Sequence, residues 1–423
     1  MIGHGPPEMR ANRELNPGAP VPSIDPAMDQ RFPTRFRNAD EAFGVYGEES
    51  HRLAEAILRG DPLADAVAAE IRADGRARAR FDLALDQGID AVENPGPALV
   101  ALFAQVDAIP DWVDFDRMDD GAATYVRDGE DTYLALLASL VAGYRSGDAS
   151  KALTMSRRFI EYAPRRAEET MIWMLSVVKQ GGMRRFGDGF RMTMRVRLVH
   201  AFVRAACLAS PAWRFDDWGM PVNQFDLGRG ICGEFTTVAF DARRKLGYSF
   251  TDDQVDAMLH LWRYVGHVLG LEPWLQPAAI GQAERMASFA DLTATSIDDD
   301  SRQLANAVIN IEPDRLKAQG KPVQAWIIEH ITHGYMRRFA GDAIADQYGL
   351  KNTPFKYLCA LRRPFVRRAH RRQVGAKDWD PKRFATQFIE RSLAQHVKTV
   401  TSVADMEEAG RETAKARRPV QAA

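Results

Sequence analysis

Apolar residues recur at spacings of three and four along almost the whole chain from about residue 40. This spacing places them on one face of an α-helix, whereas a half-buried strand would alternate apolar and polar residues. We find no convincing alternation and no repeat of fixed period. The sequence therefore predicts an all-α fold, a single large helical domain in which additional helices surround a globin-like helical core. The predicted helices cover residues 42–58, 63–73, 81–92, 97–106, 118–126, 132–143, 151–161, 165–178, 190–208, 225–245, 251–269, 279–293, 301–319, 323–338, 355–368 and 381–401.

Residues that start and stop helices lie between these stretches. Glycine or proline interrupts the pattern at residues 181–182, 211, 247 and 270–273, and both residue types end helices. Thr251, which precedes two aspartates, and Asp111, which precedes a tryptophan, are candidate N-caps, because short oxygen-bearing side chains accept hydrogen bonds from the first free backbone N–H groups.

The two ends of the chain differ from this helical pattern. Residues 1–39 carry many prolines and predict an extended arm, while residues 406–423 predict a disordered basic tail. The helical domain then spans residues 40–405. The 56 basic and 57 acidic residues of the chain nearly balance, so the composition predicts no nucleic-acid partner.

The sequence shows no targeting or membrane-spanning segment. Its N-terminal stretch has no apolar run long enough for a signal peptide, and nowhere do about 18 uncharged apolar residues follow one another. Cys207, Cys232 and Cys359 are widely scattered and form no disulfide framework, which favours a reducing compartment. We therefore expect a cytoplasmic protein.

The predicted helix at 190–208 carries one histidine between two arginines. His200 shares a face with Arg197 and Arg204, at offsets of three and four, on an otherwise apolar stripe. Two buried cations need anionic partners, because an unpaired buried charge is costly. The propionates of a haem would supply the anions while the imidazole bound the iron. Carboxylates from other helices would serve equally well, with His200 as a packed core residue.

A second predicted helix presents a polar triplet where its apolar segment begins. Arg166, Glu169 and Thr170 lie at i, i+3 and i+4 and therefore share one face. A structural salt-bridge face is one interpretation. The other is oxygen chemistry, in which the arginine and the hydroxyl polarise bound O2 and the partly desolvated glutamate moves a proton.

Three stretches together resemble the haem b oxygenase family that includes latex clearing protein (rubber oxygenase) and the fungal endoplasmic-reticulum oxygenase of mycophenolic acid biosynthesis. RVRLVHAFVR resembles the family's proximal helix, with His200 in the ligand position. Arg166-x-x-Glu169-Thr170 ends 30 residues earlier, where rubber oxygenases have Arg-x-x-Lys-Thr. PVNQFDLGRGICGEF and LHLWRYVGHVLGL resemble its Pro-x-Asn-Gln-x-Asp loop and Trp-Arg-x-x-Gly-His helix. The likeness spans about residues 110–275.

The resemblance implies a haem b-dependent oxygenase that activates O2 to oxidise or cleave a carbon–carbon double bond of an apolar, isoprenoid-like substrate, either a small molecule or a polymer. It implies that His200 holds the iron and that Arg197 and Arg204 anchor propionates or fix the ligand helix. Arg166 and Thr170 would polarise oxygen, and Glu169 would transfer a proton. Rubber oxygenases have a lysine in place of Glu169, and that lysine can occupy the distal iron position. An ionised carboxylate only accepts hydrogen bonds, so the implied substrate need not be rubber.

Other functions stay open at this point. A haem-binding sensor or carrier would use the same His200 without catalysis. A peroxidase-like enzyme would use the arginine and a carboxylate to split peroxide, and a helical scaffold would bind no cofactor.

Several further polar groups have a structural and a functional interpretation. His260 and His267 would either pack between helices or tune a haem pocket, and His330 with His333 would either pack or bind a second metal. The loop that contains Asn223, Gln224 and Asp226 is expected to cap a helix. The basic cluster at 360–377 predicts a solvated surface, with weak peripheral membrane contact as the alternative.

Overall fold

The computed structural model describes residues 32–155 and 163–396, and all regular structure in these ranges is helical. The predicted all-α fold is confirmed. The predicted tail and most of the predicted arm lie outside the described residues. None of the described helices is both long and apolar enough to cross a membrane.

The helices are numbered in chain order. A π-helical segment, Gly230–Val238, joins α12 to α13, and short 3₁₀ turns lie at Ile89–Ala91 and Pro273–Leu275. The α-helices are α1 Ala39–Tyr46, α2 Glu48–Ala56, α3 Pro62–Ala73, α4 Arg76–Gln87, α5 Pro97–Asp107, α6 Phe115–Val126, α7 Asp131–Gly143, α8 Lys151–Thr154, α9 Ala163–Val177, α10 Asp188–Leu208, α11 Phe215–Trp218, α12 Gln224–Arg229, α13 Ala239–Leu246, α14 Asp252–Val268, α15 Ile280–Thr293, α16 Asp299–Ile309, α17 Ile311–Ala318, α18 Pro322–Ala340, α19 Asp342–Gln347, α20 Lys356–Val374 and α21 Pro381–His396.

One of the two predicted N-caps is confirmed and the other is wrong. Thr251 begins α14 with a capping box, in which its hydroxyl accepts from the backbone of Gln254 and the Gln254 side chain accepts from the backbone of Thr251. Asp111 lies in a turn. The cap of α6 is Asp114, whose carboxylate accepts from two backbone N–H groups of the first turn.

Several predicted helices are divided in the structure. The stretch 42–58 breaks at Gly47, whose φ of 58° lies in the left-handed region that glycine adopts without strain. The stretch 301–319 breaks at Asn310, between α16 and α17. Conversely, the stretch predicted at 355–368 continues through Pro364 to Val374 as the single helix α20.

The buried apolar side chains form a large cluster and a smaller one. The large cluster contains residues of α5, α6, α9, α10 and α14, with Trp262 fully buried in it. In this cluster Gly121 lets α6 approach α14 closely, since a Cβ there would overlap the backbone of Ala257. The smaller cluster contains residues of α7, α13, α16 and α18–α20. Helix α10 packs against α3, α9 and α14, so the predicted histidine helix lies inside the fold.

Candidate functional site

A cavity of about 400 Å³ opens beside α10, and His200 forms part of its wall. This volume falls within the usual range for small-molecule and cofactor sites. Helices α7, α9 and α10 and the π-helical segment contribute most of its lining. The apolar lining residues include Leu140, Leu153, Ile172, Trp173, Met192, Val196, Val199, Val203, Leu227, Ile231, Phe235 and Leu269. The site is therefore largely apolar, with a small set of polar side chains.

The imidazole of His200 is held neutral. Burial lowers its pKa to about 4, and the nearby charge of Arg204 acts in the same direction. Within the described residues no hydrogen bond engages either ring nitrogen. A neutral imidazole with an available lone pair, facing an apolar cavity, is the form of histidine that binds a metal or haem iron.

Arg166, Glu169 and Thr170 line the same cavity as His200. The sequence predicts that these three residues share one face of a helix, and in the structure this face borders the same cavity as His200. Burial lowers the pKa of Arg166 to about 10, against the opposing effect of Glu169. The Glu169 carboxylate also accepts a hydrogen bond from Nε of Arg165 at 3.2 Å. The arrangement therefore places a cation, a carboxylate and a hydroxyl on one wall of an apolar pocket.

A hydrogen bond fixes α9 against α10. The indole Nε1 of Trp173 donates to Oγ1 of Thr193 at 3.0 Å, and Thr193 donates to the carbonyl of Gly189 at 2.6 Å. The ring of Trp173 also packs edge-on against Phe235 of the π-helical segment. These contacts set the spacing between the helix that carries the polar triplet and the helix that carries His200.

Arg197 and Arg204 do not line the cavity. Arg197 donates to both carboxylate oxygens of Asp61 at 2.6 and 3.1 Å, and Nε of Arg204 lies 2.8 Å from the carboxylate of Asp65. Both carboxylates belong to the start of α3, Asp61 as its N-cap. The anionic partners of the two arginines therefore come from another helix. Carboxylates of this kind were the alternative to haem propionates in the sequence analysis. These contacts favour a role in fixing the histidine helix over contact with haem propionates, the other role that the resemblance implies for the two arginines.

The loop before α12 joins the segments that surround these arginines. Gln224 donates to the carbonyls of Gly60 and Gly270, both at 3.0 Å. A Cβ at Gly60 would lie 2.8 Å from Arg204, and one at Gly270 would lie 2.7 Å from Arg197. Asn223 caps α12 through the backbone of Asp226, as predicted. Asn223 and Gln224 thus hold the loop and the segments at Gly60 and Gly270 together beside α10, while Asp226 also lines the cavity.

The structure adds a charged pair that the sequence analysis missed. Arg229 and Glu234 line the cavity and lie 3.2 Å apart, each side chain only 16% exposed. Burial raises the pKa of Glu234, and Arg229 opposes this rise. Gly143 makes room for them, because a Cβ there would lie 2.8 Å from the Glu234 carboxylate. These two residues are five apart, a spacing that the π-helical segment brings together and that an α-helical face does not.

His260 and His267 lie outside the cavity lining. His260 accepts a hydrogen bond from the backbone of Asp114 at 3.0 Å, and His267 lies 3.4 Å from the amide of Gln105. Their contacts support helix packing, and the expectation that one of them tunes the pocket is not supported.

His330 and His333 are also engaged by protein groups. His330 pairs with the carbonyl of Trp326, and His333 accepts from the backbone N–H of Lys351. Among the described residues, no group of three or more histidine, cysteine, aspartate or glutamate side chains is arranged to hold a metal ion. These contacts favour packing over the alternative of a second metal site.

His333 makes the stability of the fold depend on pH. Burial, together with the charge of Lys351, lowers its pKa to about 4, against about 6.5 in an unfolded chain. Between these values the unfolded chain binds a proton that the folded chain does not. The free energy of unfolding should therefore fall as the pH drops from about 6.5 to about 4, by no more than about 3 kcal/mol. Urea unfolding at several pH values measures this slope. His333→Gln should reduce it and His330→Gln should not; equal slopes in both variants would contradict the prediction.

One solved structure has a fold similar to that of this chain. The chain is similar to latex clearing protein in its closed state, with a TM-score of 0.59, 19% sequence identity, and coverage of 79% of this chain and 91% of that one. No curated protein matches the sequence. At this identity the structural likeness shows the all-helical fold alone.

The family comparison covers more than half of the chain. Residues 126–385 match the model described as the catalytic domain of the ER-bound oxygenase mpaB/B' and rubber oxygenase. This range contains the polar triplet of α9, His200 and the buried pair of the π-helical segment. The chain therefore belongs to the family of the mpaB-type ER-bound oxygenases and the rubber oxygenases, as the resemblance of its motifs had implied.

Proposed function

We propose that this protein is a haem b-dependent oxygenase that uses O2 to oxidise or cleave a carbon–carbon double bond of an apolar, isoprenoid-like substrate. One observation carries the proposal. A single apolar cavity joins a neutral histidine that has no hydrogen-bond partner in the described chain to an arginine, a glutamate and a threonine on a neighbouring helix. The family membership supports the oxygenase class.

The residues present fit a haem. His200 would bind the iron through its free imidazole nitrogen, and the aliphatic lining would contact the porphyrin. Arg195 lines the cavity, is about a quarter exposed and lies 3.7 Å from the carboxylate of Asp82. Its guanidinium would meet a propionate by exchanging this long, partly exposed ion pair. When bound, the haem supplies the site at which O2 is reduced and activated.

The protein's own contribution is a largely apolar pocket with oriented polar groups. Arg166 and Thr170 provide N–H and O–H donors that would orient and polarise oxygen within the cavity. The Glu169 carboxylate would accept a proton from the substrate carbon next to the double bond, and Arg165 holds that carboxylate in position. The apolar wall would exclude water and select an apolar chain.

Spectra and oxygen uptake test the proposal against its alternatives. The purified chain loaded with haem b should show a Soret band that shifts on addition of CO, and it should consume O2 when given squalene or a polyisoprene latex. A CO-binding haem without oxygen uptake would favour the sensor or carrier. Turnover with hydrogen peroxide under anaerobic conditions would favour the peroxidase-like enzyme. A protein that binds no haem would overturn the proposal.

Glu169→Gln should keep the haem spectrum and lower the rate of oxygen uptake by roughly a hundredfold, because the amide cannot accept the proton. Glu168→Gln is the matched control: it removes a neighbouring carboxylate that does not line the cavity, and it should leave the rate within about twofold. Unchanged uptake in Glu169→Gln would remove Glu169 from the mechanism while leaving the haem assignment intact.

A further inference from the structure

Helix α20 exposes a row of large apolar side chains. Tyr357, Leu361 and Phe365 follow one another at spacings of four and are 63%, 67% and 75% exposed. Residues at this spacing lie on one face of a helix. Cys359 and His370 are buried on the opposite side of the helix. The exposed row is therefore a solvent-facing stripe of a helix that is firmly packed on its other side.

Arginines extend and flank this stripe. Five of them are exposed on α20, and within the described chain none of the five forms an ion pair with a carboxylate. By contrast, Arg362 points inward and pairs with Asp131 at 3.1 Å. No aspartate or glutamate occurs between Lys356 and Lys377. Arg368 and Arg372 continue the exposed row along the helix and Arg371 lies beside them, whereas Arg363 and Arg367 follow the buried Cys359 at spacings of four and lie on the other side. We call the exposed row the basic-apolar face; it comprises Tyr357, Leu361, Phe365, Arg368, Arg371 and Arg372.

A second apolar group lies near the N-terminal end of this helix. Trp326 and Val323 of α18 are 53% and 70% exposed. The Trp326 ring contacts the ring of Phe355, the residue just before α20, with centroids 6.4 Å apart. Tryptophan and tyrosine are the side chains that concentrate at the boundary between lipid and water.

We propose that the basic-apolar face docks α20 flat onto an anionic lipid surface. Large apolar side chains between uncompensated arginines are the composition of helices that lie in a membrane interface, where the apolar side chains enter the acyl boundary and the cations meet lipid phosphates. The arginines would also bind the phosphates of a nucleic acid, but the exposed leucine and phenylalanine would add little to that binding. A second copy of this chain would bring the same unpaired positive charge against this one. The inference does not depend on the proposed reaction.

Vesicle binding tests this proposal directly. The full chain is sedimented with vesicles of phosphatidylcholine alone and with vesicles containing about 30% phosphatidylserine. Binding to the anionic vesicles should be at least about tenfold tighter, and it should weaken when the salt rises from about 0.1 M to about 0.5 M. Equal and weak binding to both kinds of vesicle would overturn the proposal.

Two surface variants separate the apolar contribution from the charge. The double variant Leu361→Ser with Phe365→Ser should lower binding to anionic vesicles at least about tenfold, and Arg368→Gln with Arg372→Gln should lower it to a similar extent. Val45→Ser with Val100→Ser is the matched control, since both valines are exposed elsewhere on the protein, and it should bind normally. Circular dichroism checks that each variant is folded.

Two outcomes would assign the face to another occupant and overturn the proposal. The first is binding to duplex DNA or RNA at least as tight as to anionic vesicles, and insensitive to the Leu361→Ser and Phe365→Ser substitutions. The second is a protein that binds neither kind of vesicle and forms a dimer in sedimentation velocity, where the same substitutions dissociate the dimer.

Discussion

His200→Ala is expected to weaken haem b binding by on the order of a hundredfold or more, because it removes the imidazole that would bind the iron. The histidine is neutral at ordinary pH, since burial lowers its pKa to about 4. No competing hydrogen bond holds its ring within the described chain. Titrating the apo protein with haem and following the Soret band measures the loss. The helix itself should stay intact, because alanine has a high helix propensity.

The matched control is His267→Ala, which removes a histidine that packs between helices outside the cavity. Its haem affinity should stay within about twofold of the parent. Added imidazole should restore the spectrum of the parent protein to His200→Ala by entering the space left in the cavity. A His200→Ala protein with full haem content and an unchanged spectrum would show that the ligand is another residue.

The sequence predicts which residues share one face of a helix, because the geometry of the α-helix fixes which positions lie together. Arg166, Glu169 and Thr170 share a wall of the cavity, and His200 lies in the same cavity on the next helix. The spacing within a helix does not say which distant groups meet it. The carboxylate that pairs with Arg197 lies 136 residues away in the sequence, so its identity depends on tertiary packing.

Departures from regular α-helix account for much of what the sequence analysis missed. The apolar spacing predicts one α-helix over residues 225–245, and the structure has a π-helical segment within that range. A π turn changes which positions share a face, so Arg229 and Glu234 meet in the cavity although an α-helical register separates them. Helix breaks at Gly47 and Asn310 were likewise missed, because the apolar spacing continues across both.

Arg197→Ala should lower the free energy of unfolding by about 3–5 kcal/mol, the usual effect of removing one partner of a buried ion pair. The side chains of Arg197 and Asp61 are only 3% and 8% exposed, so truncation would leave the carboxylate buried without its cation. The lost guanidinium also donates to Gln105 and to the carbonyl of Val268. Urea unfolding of the apo protein measures the change. Removing both charges, in Arg197→Met with Asp61→Leu, should recover more than half of the loss.

Arg204→Ala provides the comparison on the same helix. Its partner Asp65 is 40% exposed and stays hydrated when the arginine is removed, so the expected loss of unfolding free energy is smaller, about 1–2 kcal/mol.

Haem titration of Arg197→Ala, under conditions where the variant is folded, separates the two roles first considered for Arg197. If Arg197 fixes the helix from outside the cavity, the haem dissociation constant of Arg197→Ala should rise no more than about threefold above that of the parent. If it bound a propionate, the constant should rise about tenfold or more, because a charge-assisted hydrogen bond would be lost. The contacts with Asp61, Gln105 and Val268 already occupy its guanidinium, and they lead us to expect the smaller effect.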